Sequence, residues 1–126
     1  MSYVIGGKEF MIIENFISTE KVKQIKYVYF YRLLKGKTII TYEKESIEVQ
    51  SYGIEVERQD MLNEELVNVQ RDCIEHISPY RHKVHNLIRL LYENKVSPLH
   101  LIDITGDYVD RYILDFEREV KYIAAY

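Results

Sequence analysis

His100 and Asp103 stand three residues apart in the string VSPLHLIDITGDYVD (residues 96–110), with Asp107 one turn further on. On a helix that spacing places the three side chains on neighbouring positions, and a histidine beside a carboxylate is the arrangement of a general base. Cys73-x-x-His76 and His82-x-x-His85 have the spacing of metal ligands. Neither chemistry is completed elsewhere in the chain. There is no G-x-S-x-G and no paired Cys/His motif to supply a nucleophile, and Gly6-Gly7 lacks the lysine and spacing of a phosphate loop. A metal needs four convergent ligands held by partners of their own. On a helical wheel His82 falls opposite the apolar stripe and His85 at its flank, while Cys73 sits at strand parity as a small core hydrophobe. The expectation is no catalytic residue, no metal and no cofactor, with His100 and Asp103 left as the candidate functional pair.

A second surface is basic. Between residues 79 and 95, Arg81, Lys83, Arg89 and Lys95 outweigh Glu93 to give +3, with His82 and His85 beside them. Arg81, His82, Lys83, His85 and Arg89 therefore form a candidate interaction surface, and phosphate backbones are one class of partner for it. The segment SPLHLIDITGDYVDRYI also has the outline of helix, glycine turn, helix. However, residues 98–120 carry six acids against two bases, whereas a helix that faces phosphates should be basic. Opposite charges on the two helical segments fit each other instead, within one chain or between two copies.

These residues need elements to hold them. Residues 22–77 read mainly as strands, residues 78–124 as helices, and residues 1–21 as an extension that fits either a hairpin around Gly6-Gly7 or one short helix over KEFMIIENFI. Within VKQIKYVYFYRLLKGKTIITYEK, two β-rich runs flank Lys35-Gly36-Lys37, which reads as a hairpin loop. Ile25, Tyr27, Tyr29, Tyr31 and Leu33 point one way and Val28, Phe30 and Leu34 the other, so both faces are apolar near the middle. The next strand, IEVQSYGIEVERQ, changes inward parity near Gly53 as a bulge would cause. Residues 62–77 fit either period, and their β-branched residues favour a strand. Ser78-Pro79 and Ser97-Pro98 read as twin helix starts, each serine a cap and each proline at the first helical position. Tyr80, Val84, Leu87, Ile88 and Leu91 form one stripe, and Leu99, Ile102, Val109, Ile113, Phe116, Val120 and Ile123 a second. Thr105-Gly106 either sits inside one long helix or divides two.

The fold expected is α+β: an antiparallel meander of three to four strands followed by two or three C-terminal helices packed on one face. At 126 residues with no repeat, low-complexity tract or linker, the chain is one domain. One cysteine excludes an internal disulfide and suits a reducing compartment. A net charge of −3 gives no broad pull toward nucleic acid or anionic lipid. The start has no basic-then-apolar leader and no apolar run approaches a membrane span, so a cytoplasmic protein without membrane contact is expected. Sixteen isoleucines and twelve tyrosines against two alanines point to biased base composition rather than to tyrosine chemistry.

YGIEVE (residues 52–57), then Ile74, Ile77 and Ser78, then ENKVSPLHLID with Val96, Ser97, Pro98, His100, Leu101 and Asp103, resemble a family of small uncharacterised proteins of spore-forming Gram-positive bacteria, a domain of unknown function. The resemblance spans residues 25–116. It implies a bacterial cytosolic setting and a link to sporulation or its regulation, and it implies no activity. From the residues themselves, a protein-interaction or regulatory module that binds a protein partner or a second copy is the leading expectation. A nucleic-acid regulator using the basic face of residues 79–95, and a metal protein or hydrolase centred on His100 and Asp103, are the alternatives.

Overall fold

The computed structural model describes residues 2–5 and 8–125. Five strands come first: β1 (Ser2–Ile5), β2 (Lys8–Val22), β3 (Ile25–Tyr42), β4 (Glu45–Leu62) and β5 (Glu65–Ser78). They form one antiparallel meander in chain order. Helix α1 (Arg81–Glu93), a single 3-10 turn (Pro98–His100), α2 (Leu101–Tyr112) and α3 (Leu114–Ala124) follow. The fold is α+β, as the sequence predicts, with five strands where three to four are expected, and residues 62–77 are strand apart from the turn Asn63-Glu64. The N-terminal segment is sheet as well: β2 pairs antiparallel with β3 for most of its length, which excludes the short-helix reading of KEFMIIENFI. The Gly6-Gly7 turn itself lies outside the described residues.

The hairpin expected at Lys35-Gly36-Lys37 is not there. β3 runs unbroken through Gly36, which pairs with Ser51 on β4. A Cβ at Gly36 would lie 2.8 Å from two carbons of the Phe10 ring, so the glycine makes room for a neighbouring strand's aromatic. The real turns are Lys23-Gln24, Glu43-Lys44 and Asn63-Glu64. Lys23, Glu43, Lys44, Asn63 and Glu64 all take positive φ, between 48° and 65° at four of them and 69° at Lys44. At Glu43-Lys44 and Asn63-Glu64 the two consecutive left-handed residues match the twist of the flanking strands, as a two-residue hairpin of this type requires.

Parity along β4 sorts its side chains into two clusters. Tyr52, Ile54 and Val56 join Tyr29, Tyr31 and Leu33 of β3 under Val84, Leu87, Ile88 and Leu91 of α1. Val49 has the opposite parity and joins Phe116 and Val120 of α3. The parity change read near Gly53 is this division. A register shift does occur opposite Gly53, but the extra residues are on β5: Tyr52 pairs with Ser78 and Ile54 with Ile74. Fully burying an aliphatic side chain stabilises the fold by about 2 kcal/mol, so these clusters supply most of the drive to fold.

Ser78 does not cap a helix. It is the last residue of β5, its Oγ donates to Asp115 Oδ2 at 3.0 Å and accepts from the Tyr80 amide at 3.1 Å, and the cap position of α1 belongs to Tyr80. Pro79 is buried between strand and helix and is not the first helical residue. Ser97-Pro98 does behave as expected: Ser97 Oγ accepts from the Leu99 amide at 3.3 Å, with Pro98 first in the 3-10 turn.

The long C-terminal stripe is met in part: Val109, Phe116 and Val120 are inward, and its other members are not. Leu101, Thr105, Phe116 and Val120 face inward with Tyr108, Val109 and Tyr112 beside them, whereas Leu99, Ile102, Ile113 and Ile123 are exposed. Thr105-Gly106 lies within α2, and the bend between α2 and α3 falls at Ile113, whose backbone stays helical at φ −61°, ψ −28°. Nothing lies within 4 Å of a Cβ built at Gly106. Gly106→Ala is therefore expected to stabilise the protein by about 1 kcal/mol, read as a higher urea midpoint with an unchanged slope.

Candidate functional site

His100 ends the 3-10 turn and occupies the cap position of α2, and Asp103 stands in that helix's first turn. Both are exposed and neither side chain makes a hydrogen bond or ion pair with any described residue. The chain brings them to one helix end without joining them. A base and its orienting carboxylate must lie within hydrogen-bond reach, and here Asp103 instead complements the positive end of α2. His100 lines a shallow groove with Leu90, Asn94, Lys95, Val96, Ser97 and Ile104.

The basic surface is largely engaged within the chain. Arg81 Nε and His85 Nδ1 lie 3.3 and 2.5 Å from the two carboxylate oxygens of Glu14 on β2. Lys83 Nζ reaches both oxygens of Asp115 on α3, at 2.9 and 2.8 Å. Arg89 pairs with Glu93 one turn on, at 3.1 Å. His82 stacks against the Tyr80 ring. The expected match between basic α1 and the acidic C-terminal segment is thus intramolecular at Lys83–Asp115, while Arg81 and His85 fasten α1 to the sheet.

The Cys-x-x-His and His-x-x-His spacings do not converge: among the described residues no group of three metal-ligating side chains assembles. Cys73 faces Glu55 across the ladder, and burial, then Glu75, Glu55 and Asp72, push its thiol above the ordinary value. His76 turns onto Ser51, with Nδ1 2.8 Å from Oγ, and has the Glu75 carboxylate 3.7 Å from Nε2. This serine–histidine–acid order was not legible in the sequence, because Ser51 and His76 are twenty-five positions apart. Ser51 is fully buried. The contact holds the irregular end of β5 onto β4. A second unforeseen network lies across the sheet, where Arg32 bridges the buried carboxylates of Glu55 (2.7 Å) and Glu57 (3.4 Å), and Arg71 reaches Glu57 at 2.8 Å.

Tyr31 is fully buried and its hydroxyl donates to the Val96 carbonyl at 3.0 Å, fixing the segment between α1 and the 3-10 turn. Burial raises its phenol well above the ordinary 10.0, and raises Tyr29 in the same direction. With a raised folded value, stability is intact below pH 10 and falls as pH climbs through it, because the unfolded chain gives up the proton first. Each such group contributes a slope of up to about 1.4 kcal/mol per pH unit. Tyr31→Phe is expected to cost about 1 kcal/mol at pH 8 through the lost hydrogen bond and to flatten the alkaline limb, in urea titrations at pH 8 and 11.

Exposed apolar residues occur on the strands, Ile39 and Val67 among them, and also along the outer face of α2 and its junction with α3. Leu99, Ile102, Ile113 and Leu114 are 66, 55, 58 and 60% exposed. Ile102, Gly106 and Ile113 share one helical face, and Asp103, Asp107 and Asp110 run beside it. Single exposed hydrophobes are ordinary, whereas these are aligned along a helix and bordered by charge.

A family model described as a family of unknown function (DUF6514) matches residues 10–111, from β2 to the last turn of α2. No curated protein matches, and no solved structure matches.

Proposed function

Because the chain belongs to DUF6514, a family of unknown function, we propose, from its own surfaces, that it is a small protein-interaction and regulatory module with no chemistry of its own. The observation that carries this reading is the apolar row Leu99, Ile102, Ile113 and Leu114, turned away from a core that is already closed beneath α2. Residue types suited to catalysis are dispersed or buried: His100 and Asp103 are unjoined, and Ser51 is inaccessible.

Self-association has an observation of its own. β1 pairs β2 only over Lys8–Met11, so the outer edge of β2 from Ile12 to Val22 is free of strand partners among the described residues. An open edge is a template for another strand. A nucleic-acid role is the weaker reading, since Arg81, Lys83, His85 and Arg89 already have carboxylate partners. The resemblance to small proteins of spore-forming Gram-positive bacteria supports a cytoplasmic, bacterial setting with regulation of sporulation as its context. Among the described residues no helix is long and apolar enough to cross a membrane.

The test is cross-linking in source-cell lysate with the wild type and with Ile102→Glu/Ile113→Glu. Proteins joined to the wild type and lost from the variant, with thermal stability unchanged, are expected. Identical cross-linked sets from the two would remove the surface from consideration.

A further inference from the structure

The outer face of α2 has three properties that together describe an occupant. Its apolar members Leu99, Ile102 and Ile113 follow the helix axis as a row, with Leu114 at its α3 end. Such a row is what an amphipathic helix uses when it lies along another. In the middle of the row stands Gly106, where an added Cβ would meet nothing within 4 Å. A glycine inside a helix costs about 1 kcal/mol against alanine, and no packing within this chain accounts for it. A bare backbone lets a neighbouring chain come close.

The third property is charge. Asp103, Asp107 and Asp110, spaced i, i+4, i+7, line one side of the row and are exposed. Their carboxylates have no partner among the described residues, and the nearest base on the helix, Arg111, lies over the Tyr108 ring and donates to the Asp107 carbonyl. A second copy fits poorly here. An antiparallel two-fold would set the two aspartate rows against each other. A parallel two-fold would set each row against the opposite flank, where Leu101 and Thr105 are buried in the chain's own core and offer it no partner.

Resting on the interaction reading above, we infer that the outer face of α2 docks a basic amphipathic helix of a partner protein, which crosses at Gly106 with its lysines or arginines against Asp103, Asp107 and Asp110. The apolar row supplies the contact area, and the aspartates select the sign of the partner and speed the encounter at low salt.

The experiment follows the methyl resonances of Ile102 and Ile113 in the full chain. The titrants are two model helical peptides with leucine on one face and either lysine or glutamate on the other. The expected result is saturable binding of the lysine peptide, at least tenfold tighter than the glutamate peptide and weakened by salt. Ile102→Asp should reduce it by about thirtyfold, and Asp103→Lys/Asp107→Lys/Asp110→Lys should invert the preference. Gly106→Ala separates docking from structure: the variant should be more stable and yet bind about tenfold more weakly. Equal binding by wild type and Gly106→Ala, or equal binding of the two peptides, would overturn the inference. A sedimentation dimer abolished by Ile102→Asp would give the face to a second copy, overturning the basic partner while the interaction reading stands. If neither peptide nor a second copy moves the Ile102 and Ile113 resonances, and the two cross-linked sets are identical, both readings fall.

Discussion

Gly53→Ala is expected to be among the most damaging single-methyl changes this chain can carry. A Cβ at Gly53 would lie 2.2 Å from the Glu75 carbonyl oxygen and 2.3 Å from that of Ile74. These are backbone atoms of the adjacent strand, so no side-chain rotation relieves the clash. β5 would have to leave β4 at the point where it turns inward toward α1. Ser51–His76 would open, and Ile77 and Ser78, both fully buried, would lose their seats. Overpacking that flexible side chains can absorb costs about 1–3 kcal/mol, and here roughly 3 kcal/mol or more is expected in urea unfolding. Hydrogen exchange should localise the damage, with protection lost first over residues 74–78 and retained over the β3–β4 pairing. A loss below about 0.5 kcal/mol, within the range of unremarkable surface changes, would show that β5 is not held against the Gly53 backbone.

Gly53 and Gly36 also show what was legible in the sequence and what was not. At both positions glycine admits a neighbour, β5 backbone in one case and the Phe10 ring in the other. In sequence a glycine that admits a neighbour and a glycine that turns the chain look alike. Gly53 inside IEVQSYGIEVERQ reads as a bulge because inward parity changes across it. Gly36 sits between two lysines and was read as a loop. The turn Asn63-Glu64 does fall in the polar stretch QDMLNEE, which reads as a loop, but Glu43-Lys44 has neither glycine nor asparagine, yet both residues adopt left-handed backbone, at a cost of about 1 kcal/mol or more each. The ladder of β3 and β4 supports that strain through eighteen paired positions.

The helices were legible in existence and partly in orientation. In α1 a single apolar stripe leaves no choice, and Val84, Leu87, Ile88 and Leu91 are all buried as read. In α2 two apolar rows run side by side, Leu101, Tyr108 and Tyr112 on one and Leu99, Ile102 and Ile113 on the other, and periodicity alone does not rank them. What decides is Thr105. It completes the inner row, where it is fully buried and its hydroxyl donates to the Leu101 carbonyl at 2.6 Å, so a polar residue satisfied locally sits in the core. The outer row has Gly106 at the matching place, which leaves no side chain to bury. Val109, Phe116 and Val120 are core as expected, while Leu99, Ile102 and Ile113 are exposed; on the reading proposed above, these three are apolar because something other than this chain covers them. For His100 and Asp103 the spacing was legible and its consequence was not, since both point outward from the start of α2.

Asp115→Ala is expected to release α3 from the rest of the fold. Asp115 is 3% exposed, in the first turn of α3, and its carboxylate gathers three elements. Ser78 Oγ at the end of β5 donates to it at 3.0 Å, and Lys83 Nζ from α1 donates to both oxygens. The ammonium also lies over the Tyr80 and Tyr112 rings, 5.6 and 5.1 Å from their centres. Alanine would leave a buried serine hydroxyl without its acceptor and a half-buried ammonium without its counter-charge. Breaking one side of such a pair costs about 3 kcal/mol, far more than the intact pair contributes over an apolar substitute. Asp115→Asn keeps an acceptor for Ser78 and should cost roughly half as much. Arg118→Ala serves as the control, since its guanidinium is 3.9 Å away and mostly exposed, and exposed pairs contribute about 0–1 kcal/mol. The second cluster, Val49 with Phe116 and Val120, should then lose its register. Near-ultraviolet signals and amide protection in α3 should fall well before those of α1 as urea rises. A single coincident transition with Asp115→Ala equal in stability to Arg118→Ala would mean that the apolar cluster alone holds α3 in place, and that the Ser78–Asp115–Lys83 contacts merely accompany it.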